Sequence, residues 1–198
     1  MGEIWANGRP TTSFSAALLA GGQSKRMGEN KALIRDPASG QFLWRRQLSV
    51  LQKLKPDKIY WSEFARPEIF AEVEIVKDTV SNAGPLGGIH ACLNNPRSDL
   101  LVVLAIDLPQ MTSSFIRKMV ESCTRDCGVV MKHGLYYEPL AAVYPKVLAG
   151  LAHTHLDQKR FALQELLMEA ETEGLMRSIL LREEELPLFK NVNLPSDI

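Results

Sequence analysis

A short glycine-rich segment near the amino end has residue types suited to binding a polyphosphate. The sequence LLAGGQSKRMGENKALI places Gly21 and Gly22 directly after an apolar stretch, and Arg26 and Lys31 follow within the same loop. Backbone N–H groups of glycines can approach a ligand closely because no Cβ stands in the way. The cations can offset phosphate charge, and Arg26 can contact two oxygens at once. The segment therefore predicts a nucleoside triphosphate site.

The segment does not match the two most familiar phosphate-binding loops. A Walker A loop ends in Gly-Lys-Ser/Thr, whereas Gly28 is followed here by Glu29 and Asn30. The dinucleotide fingerprint G-x-G-x-x-G is also absent, since Gly21 and Gly22 are adjacent. The loop thus indicates another class of nucleotide site. The structural alternative is a glycine-rich turn with solvated basic side chains.

Asp107 is the second candidate site residue. It lies in the sequence AIDLPQM, directly after DLLVVLAI, the most apolar stretch of the chain. A carboxylate at this place can hold Mg²⁺, which prefers hard oxygen ligands and keeps substrate phosphates in its coordination shell. Alternatively, Asp107 caps the next helix or forms a turn before Pro109. The polyphosphate loop earlier in the chain favours the magnesium site.

Asp78 ends another apolar segment and precedes a turn, SNAGP, that leads into a helix beginning at Pro85. Proline is well tolerated in a first helical turn. The free N–H groups and the dipole of a helix N-terminus favour an electronegative ligand atom. Because ligands of open α/β sheets gather at the carboxyl ends of strands, we expect Gly21, Asp78 and Asp107 to meet at one edge.

Short apolar runs alternate along the chain with segments of helical periodicity. This pattern predicts an α/β fold with a mainly parallel sheet. Expected strands cover residues 14–19, 58–61, 73–76, 99–106, 128–131 and 140–144. Expected helices cover 42–54, 85–93, 112–123, 146–156 and 161–170. The tail, 186–198, is expected to contain short extended pieces interrupted by two prolines. We expect a single domain over 14–198 after a flexible extension, 1–13.

The composition excludes several classes of protein. Lys+Arg and Asp+Glu are equal at 23 each, so the chain lacks the basic excess typical of nucleic-acid binding. The three cysteines match no structural zinc pattern and indicate reduced thiols in a cytosolic protein. No apolar run approaches the roughly 20 residues that span a bilayer, and the first 13 residues lack signal-peptide features. We expect a cytoplasmic protein without nucleic-acid or membrane partners.

Five segments of the chain, in order, resemble the molybdenum cofactor guanylyltransferases of the nucleoside-triphosphate nucleotidyltransferase superfamily. They are LAGGQSKRMGENK at 19–31, NAGPLGGI at 82–89, AIDLPQM at 105–111, YEPLAAVYP at 137–145 and FKNVNLPSDI at 189–198. Together they extend nearly from end to end of the chain. The resemblance implies a three-layer α/β/α, Rossmann-like nucleotidyltransferase fold, with helices on both faces of a mainly parallel mixed sheet.

The resemblance implies that the glycine-rich segment holds GTP through backbone groups. The residues concerned are Leu19, Ala20, Gly21 and Gly22. It also implies that Lys31 and Arg26 bind the triphosphate and take part in catalysis.

Further roles follow from the same resemblance. Asp78 would contact the nucleoside, and Asp107 would bind Mg²⁺ and act in catalysis. The segment Gly84-Pro85-Leu86-Gly87-Gly88 would line the base and ribose.

The implied reaction transfers GMP from GTP to molybdopterin with release of pyrophosphate, and transient contact with molybdenum-insertion proteins or molybdoenzymes is expected. Related cytidylyltransferases carry Ala-Ala-Gly at Ala20-Gly21-Gly22, and the missing methyl group at Gly21 leaves room for a purine. Two alternatives stay open. One is transfer of CMP to molybdopterin, or of a nucleotidyl group to a sugar or alcohol phosphate. The other is a catalytically silent nucleotide-binding accessory protein.

The chain departs from the family pattern in three places. Asn30 precedes the loop lysine where relatives often have Asp, and Trp61-Ser62-Glu63 stands where relatives tend to have Asn. Near residues 157–160, relatives often carry a glycine before a cation. Glu138, in YEPL, has two interpretations: contact with substrate or metal, or pairing with a cation near the sheet edge.

Overall fold

The computed structural model describes residues 12–20, 35, 40–62, 73–78, 80, 82–95 and 98–191 of the 198-residue chain. The strands in these ranges are β1 Phe14–Leu19, β2 Ile59–Ser62, β3 Val73–Val76, β4 Leu100–Ala105, β5 Gly128–His133, β6 Tyr136–Pro145 and β7 Met176–Leu180. The helices are α1 Leu43–Gln52, α2 Pro85–Leu93, α3 Ser113–Glu121, α4 Ala149–Asp157 and α5 Leu163–Thr172. Two 3₁₀ helices cover Lys146–Leu148 and Glu183–Phe189.

All these strands form one mixed sheet in the order β3-β2-β1-β4-β6-β5-β7. Strand β1 pairs in parallel with β2 and β4, and β7 pairs in parallel with β5. Strand β6 is antiparallel to both of its neighbours. The carboxyl ends of the other strands therefore lie at one edge of the sheet, together with the start of β6, and we call this the carboxyl edge.

Helices cover both faces of the sheet, which confirms the three-layer fold. Side chains of β4 alternate between two cores: Val102 and Leu104 pack with α1 and α3, whereas Leu101 and Val103 pack with α2, α4 and α5. Every residue of β4 is buried, as expected for a central strand covered on both faces. Among the described residues, no helix combines the length and apolar character needed to cross a bilayer.

The carboxyl-terminal part differs from the sequence-based expectation. The hairpin of β5 and β6 is longer than expected, and Gly134 turns it with a φ of 59°. Strand β7 was not predicted, because it is a half-exposed edge strand with little apolar patterning. The expectation of extended pieces from residue 186 is wrong as far as Phe189, because a 3₁₀ helix covers these residues. Glu185 caps this helix by accepting hydrogen bonds from the backbone N–H and the guanidinium of Arg182.

Helices α2 and α4 meet through two stacked imidazoles. The ring centroids of His90 and His153 lie 5.5 Å apart, at an interplanar angle of 17°. His90 is buried, and the side-chain amide of Asn94 lies 2.9 Å from its Nε2. Burial, and secondly the charge of His153, lower the pKa of His90, while Asp157 opposes that shift. The packing therefore favours the neutral imidazole.

We expect this contact to make the fold less stable in mild acid. In the unfolded chain His90 takes up a proton near pH 6.5, whereas in the folded protein it does so only at lower pH. The free energy of unfolding should therefore fall as the pH drops below about 6.5, until the folded-state pKa is passed. Urea unfolding at pH 8, 6.5 and 5.5 measures how the unfolding free energy depends on pH. His90→Gln should make the unfolding free energy less dependent on pH. His133→Gln, a change in the exposed hairpin, should leave the pH dependence as it is in the wild type. The same pH dependence in the wild type and both variants would contradict the expectation.

Candidate functional site

The ends of β1 and β4 and the N-terminus of α2 surround a pocket at the carboxyl edge. It contains about 310 Å³ of space that protein atoms do not fill, part of it open to solvent. Four of the predicted site residues line it together with three others: Leu19, Ala20, Pro85 and Asp107, with Ala105, Ile106 and Leu140. The structure thus brings the strand end, the helix start and the candidate metal carboxylate to one place.

The register of β1 and β4 aligns the two strand ends. Leu19 lies opposite Ala105, and the N–H of Ile106 donates a hydrogen bond of 3.2 Å to the carbonyl of Leu19. Ala20 and Asp107 consequently leave the sheet side by side. Ala20 and Ala105 both line the pocket, and their side chains are small.

Helix α1 holds the loop that carries Asp107. The buried side-chain amide of Gln47 donates through Nε2 to the carbonyl of Leu108, and Nε of Arg46 donates to the carbonyl of Pro109. Hydrogen bonds to two successive carbonyls restrain the loop directly after Asp107. The position of the carboxylate is thereby set by α1 as well as by β4.

The helix-capping alternative for Asp107 is wrong. Helix α3 begins at Ser113, and its N-cap is Thr112, whose hydroxyl accepts a hydrogen bond from the N–H of Phe115 at 3.3 Å. The Asp107 carboxylate is instead half-buried at the pocket, with Oδ1 inaccessible to solvent.

The donor set around Asp107 fits a magnesium ion. No cluster of three or more His, Cys, Asp or Glu side chains that could ligate a metal occurs among the described residues. A metal at Asp107 would therefore complete its shell with phosphate oxygens and water, which is how Mg²⁺ commonly binds in nucleotide sites.

Asp78 lies beside β2 and α2. Ser62, the last residue of β2, donates through Oγ to Asp78 Oδ1 at 3.2 Å, and Ser62 is also the register partner of Leu19. A Cβ on Gly88 would clash with Ser62 Oγ, and a Cβ on Gly87 would lie 3.3 Å from Asp78 Oδ2. The two glycines thus allow α2 to approach Ser62 and Asp78 closely. Ser62, which departs from the family pattern, therefore helps to hold the Asp78 carboxylate in place through this hydrogen bond.

The electrostatic field of Asp78 extends into α2. The pKa of the Cys92 thiol is raised to about 12, first by burial and then by the negative charge of Asp78. A thiol held neutral in this way is a poor nucleophile. Cys92 is therefore a structural residue of α2.

The start of α2 has an unusual backbone. Gly84 adopts a φ of 61° and a ψ of −153°, a conformation that is essentially restricted to glycine, and Pro85 follows at the first helical position. The side chain of Leu86 is fully buried in the core formed with β1 and β4. Leu86 can contact a nucleotide only through its backbone.

Four predicted site residues, Gly21, Gly22, Arg26 and Lys31, lie outside the described part of the chain. Their phosphate-binding and catalytic roles stay predictions.

Sequence reasoning missed Gln47 and Leu140 as parts of the site. Gln47 acts through a carbonyl that is 61 residues away in the chain, so no local pattern indicates its role. Leu140 lines the pocket because β6 returns antiparallel beside β4, a pairing that the sequence alone does not show. The available signal was its place in the family-like segment at 137–145.

We expect Gly88→Ala to destabilise the protein, because the added methyl must displace Ser62 and disturb its hydrogen bond to Asp78. Overpacking of this kind costs about 1–3 kcal/mol. Gly150→Ala is the matched control: nothing lies within 4 Å of a Cβ at this helical position, so it should stabilise the fold by about 0.5–1 kcal/mol. Urea unfolding compares the two variants. Equal unfolding free energies would contradict the close approach of α2.

Known proteins resemble this chain in sequence and in fold. The MobA-like NTP transferase domain family matches residues 16–173. A probable molybdenum cofactor guanylyltransferase of Opitutus terrae is 31% identical over 190 residues, which are 94% of this chain and 93% of that protein. The molybdenum cofactor guanylyltransferase of Syntrophotalea carbinolica is 32% identical over 148 residues, or 72% of this chain and 68% of that protein.

Among solved structures, the molybdopterin-guanine dinucleotide biosynthesis protein A of Archaeoglobus fulgidus superposes with a TM-score of 0.69 and 26% identity. The superposition covers 92% of this chain and 94% of that structure. The family match extends from β1 to the end of α5 and so includes Ala20, Asp78, Pro85 and Asp107.

Proposed function

This chain belongs to the MobA-like NTP transferase domain family, and on that premise we propose that it transfers GMP from GTP to molybdopterin. The products are pyrophosphate and the guanine dinucleotide form of the molybdenum cofactor. The observation that carries the proposal is the single pocket shared by the end of β1, the start of α2 and Asp107. Relatives named molybdenum cofactor guanylyltransferase support the choice of substrates.

The two substrates have separate places at the carboxyl edge. The nucleoside lies toward β2 and α2, where the Ser62–Asp78 pair and the N-terminus of α2 offer polar groups. The triphosphate lies at the end of β1, where the chain continues into the sequence that carries Arg26 and Lys31. The acceptor then approaches from the side of β6, which borders the pocket through Leu140.

The chemistry needs no general base. The terminal phosphate of molybdopterin is a monoester with a second pKa near 6, so it is already anionic at neutral pH. Its oxygen attacks the α-phosphorus of GTP, and the bond from that phosphorus to the β-phosphate oxygen breaks. The electron pair leaves with pyrophosphate, and no proton has to move. The site can accelerate this step by positioning and by charge stabilisation alone.

Each predicted residue has one task in this scheme. Backbone groups at Ala20, Gly21 and Gly22 orient the triphosphate, and Arg26 and Lys31 stabilise the charge that grows on the departing pyrophosphate. Asp107 would hold Mg²⁺, which neutralises charge on the phosphate oxygens when it is bound.

We also propose that the reaction takes place in the cytoplasm, with molybdenum-insertion proteins or molybdoenzymes as transient partners. The three cysteines are free thiols in the structure, which suits a reducing compartment.

We expect Asp107→Asn and Lys31→Ala to lower the rate of pyrophosphate release about 10²–10³-fold, because each removes preorganised charge at the reacting phosphates. A coupled pyrophosphate assay with GTP, molybdopterin and Mg²⁺ measures the rate. Chelation by EDTA should abolish release, and Asp107→Asn should raise the Mg²⁺ concentration needed for half-maximal rate. Asp126→Asn, an exposed carboxylate before β5, is the control and should behave like the wild type. Wild-type rates in either site variant would overturn that assignment.

The choice of base is a separate prediction. GTP should raise the melting temperature more than CTP does at equal concentration, because the nucleotide that binds the folded protein more tightly stabilises it more. A ligand at 100 times its Kd adds about 2.7 kcal/mol to the unfolding free energy. Gly21→Ala should reduce the stabilisation by GTP and leave that by CTP nearly unchanged, because its methyl group occupies purine space. Stronger stabilisation of the wild type by CTP would contradict the guanylyl assignment.

A further inference from the structure

Strand β6 is interrupted beside the pocket by a bulge. Val130 of β5 pairs with Ala142 of β6, yet Lys132 pairs with Tyr137. A single residue of β5 therefore lies opposite the four residues 138–141 of β6. Bulges of this kind occur next to active sites, where they redirect side chains.

Two side chains hold the bulge in place. Gln164 of α5 accepts a hydrogen bond of 3.0 Å from the N–H of Tyr137 and donates one of 2.9 Å to its carbonyl. The hydroxyl of Tyr144, a fully buried residue, donates to the carbonyl of Pro139 at 2.8 Å. The backbone is thus tied down at both ends of Glu138, so the bulge is a built feature of the fold.

The bulge lies on the side of Asp107 that the nucleotide leaves free. Strand β6 is the direct neighbour of β4, with Leu104 opposite Ala141, and Leu140 lines the pocket that contains Asp107. The residues assigned to the nucleotide, among them Ala20 and Pro85, come from β1 and α2 instead. Leu140 therefore borders the space that we assign to the acceptor, and Glu138 precedes it by two residues in the bulge.

Glu138 is the ionisable residue of the bulge, and it is half-buried. No hydrogen bond or ion pair to a described residue satisfies its carboxylate. Of the two interpretations of Glu138, pairing with a cation near the sheet edge therefore does not occur among the described residues. Burial raises the pKa of Glu138, and the charge of His133 opposes the shift only in part. Removing a carboxylate from water without such a partner is unfavourable, which marks the residue as a candidate for ligand binding.

We propose that Glu138 recognises the pterin ring of the acceptor. A pterin carries a 2-amino-4-oxo-pyrimidine edge, which presents two adjacent N–H donors. A carboxylate offers two acceptor oxygens at matching spacing, and paired hydrogen bonds to an ionised group are among the stronger ones. The inference rests on the proposed function, since it concerns the acceptor of the same reaction. Glu138 would bind and orient the acceptor and take no part in the bond-breaking step.

The test compares Glu138→Gln with the wild type and with Glu173→Gln, a matched change at an exposed position after α5. The amide of Gln places an N–H group against one of the pterin donors, so a polar pair is lost while the size of the side chain is kept. Binding of molybdopterin is followed by isothermal titration calorimetry under anaerobic conditions, in the presence of a GTP analogue that cannot be cleaved between the α- and β-phosphates. Turnover is followed separately by pyrophosphate release.

Glu138→Gln should weaken molybdopterin binding about 10- to 100-fold and raise the KM for molybdopterin accordingly. Its Kd for GTP should equal that of Glu173→Gln. Its unfolding free energy should be no lower than that of Glu173→Gln, because the change removes a half-buried charge. If the wild type turns over and Glu138→Gln binds molybdopterin as tightly as the wild type does, the inference is overturned and the proposed reaction stands. An equal loss of GTP affinity would also overturn it, because Glu138 would then belong to the nucleotide or metal site. A wild type that binds molybdopterin through Glu138 but releases no pyrophosphate would support the inference and overturn the proposed reaction.

Discussion

The parallel pairing of β1 with β4 determines where the described site residues lie, because it brings two strand ends to the same edge of the sheet. Leu19 lies opposite Ala105, and the hydrogen bond from Ile106 to Leu19 continues the ladder to the last residues. A slip of two residues would move Asp107 by about 6–7 Å relative to Ala20. Burial of β4 on both faces opposes such a slip, since it would take apolar side chains out of two cores at once.

Each face of the sheet then contributes a different part of the site. From one face, α1 holds the loop after Asp107 through Gln47. From the other face, α2 presents its N-terminus, and its glycines allow contact with the Ser62–Asp78 pair. The Asp107 carboxylate thus lies between the elements that we propose for the nucleotide, β1 and α2, and the strand that we propose for the acceptor side, β6. That division suits a reaction in which one phosphate attacks another, because such a reaction depends on alignment and charge more than on proton transfer.

Local sequence patterns were sufficient for much of this arrangement. The apolar run of β4 predicted a central strand, and Asp107 directly after it was therefore placed at the correct edge. The contacts that define the site more closely were not predictable in the same way. Three of these contacts form only after the sheet and the helices have packed: Gln47 with Leu108, Gly88 with Ser62, and Gln164 with Tyr137. Strand β7 was not predicted for a related reason. Its extended conformation depends on pairing with β5, and its own sequence has little strand pattern.

We expect GTP and a magnesium ion to meet over the ends of β1 and β4. A crystal structure of the complex with Mg²⁺ and a GTP analogue that resists cleavage at the α-phosphate tests it most directly. We expect the triphosphate above Ala20 and a metal ion held by the Asp107 carboxylate. A nucleotide bound at the opposite edge of the sheet, or a metal ion out of reach of Asp107, would contradict it.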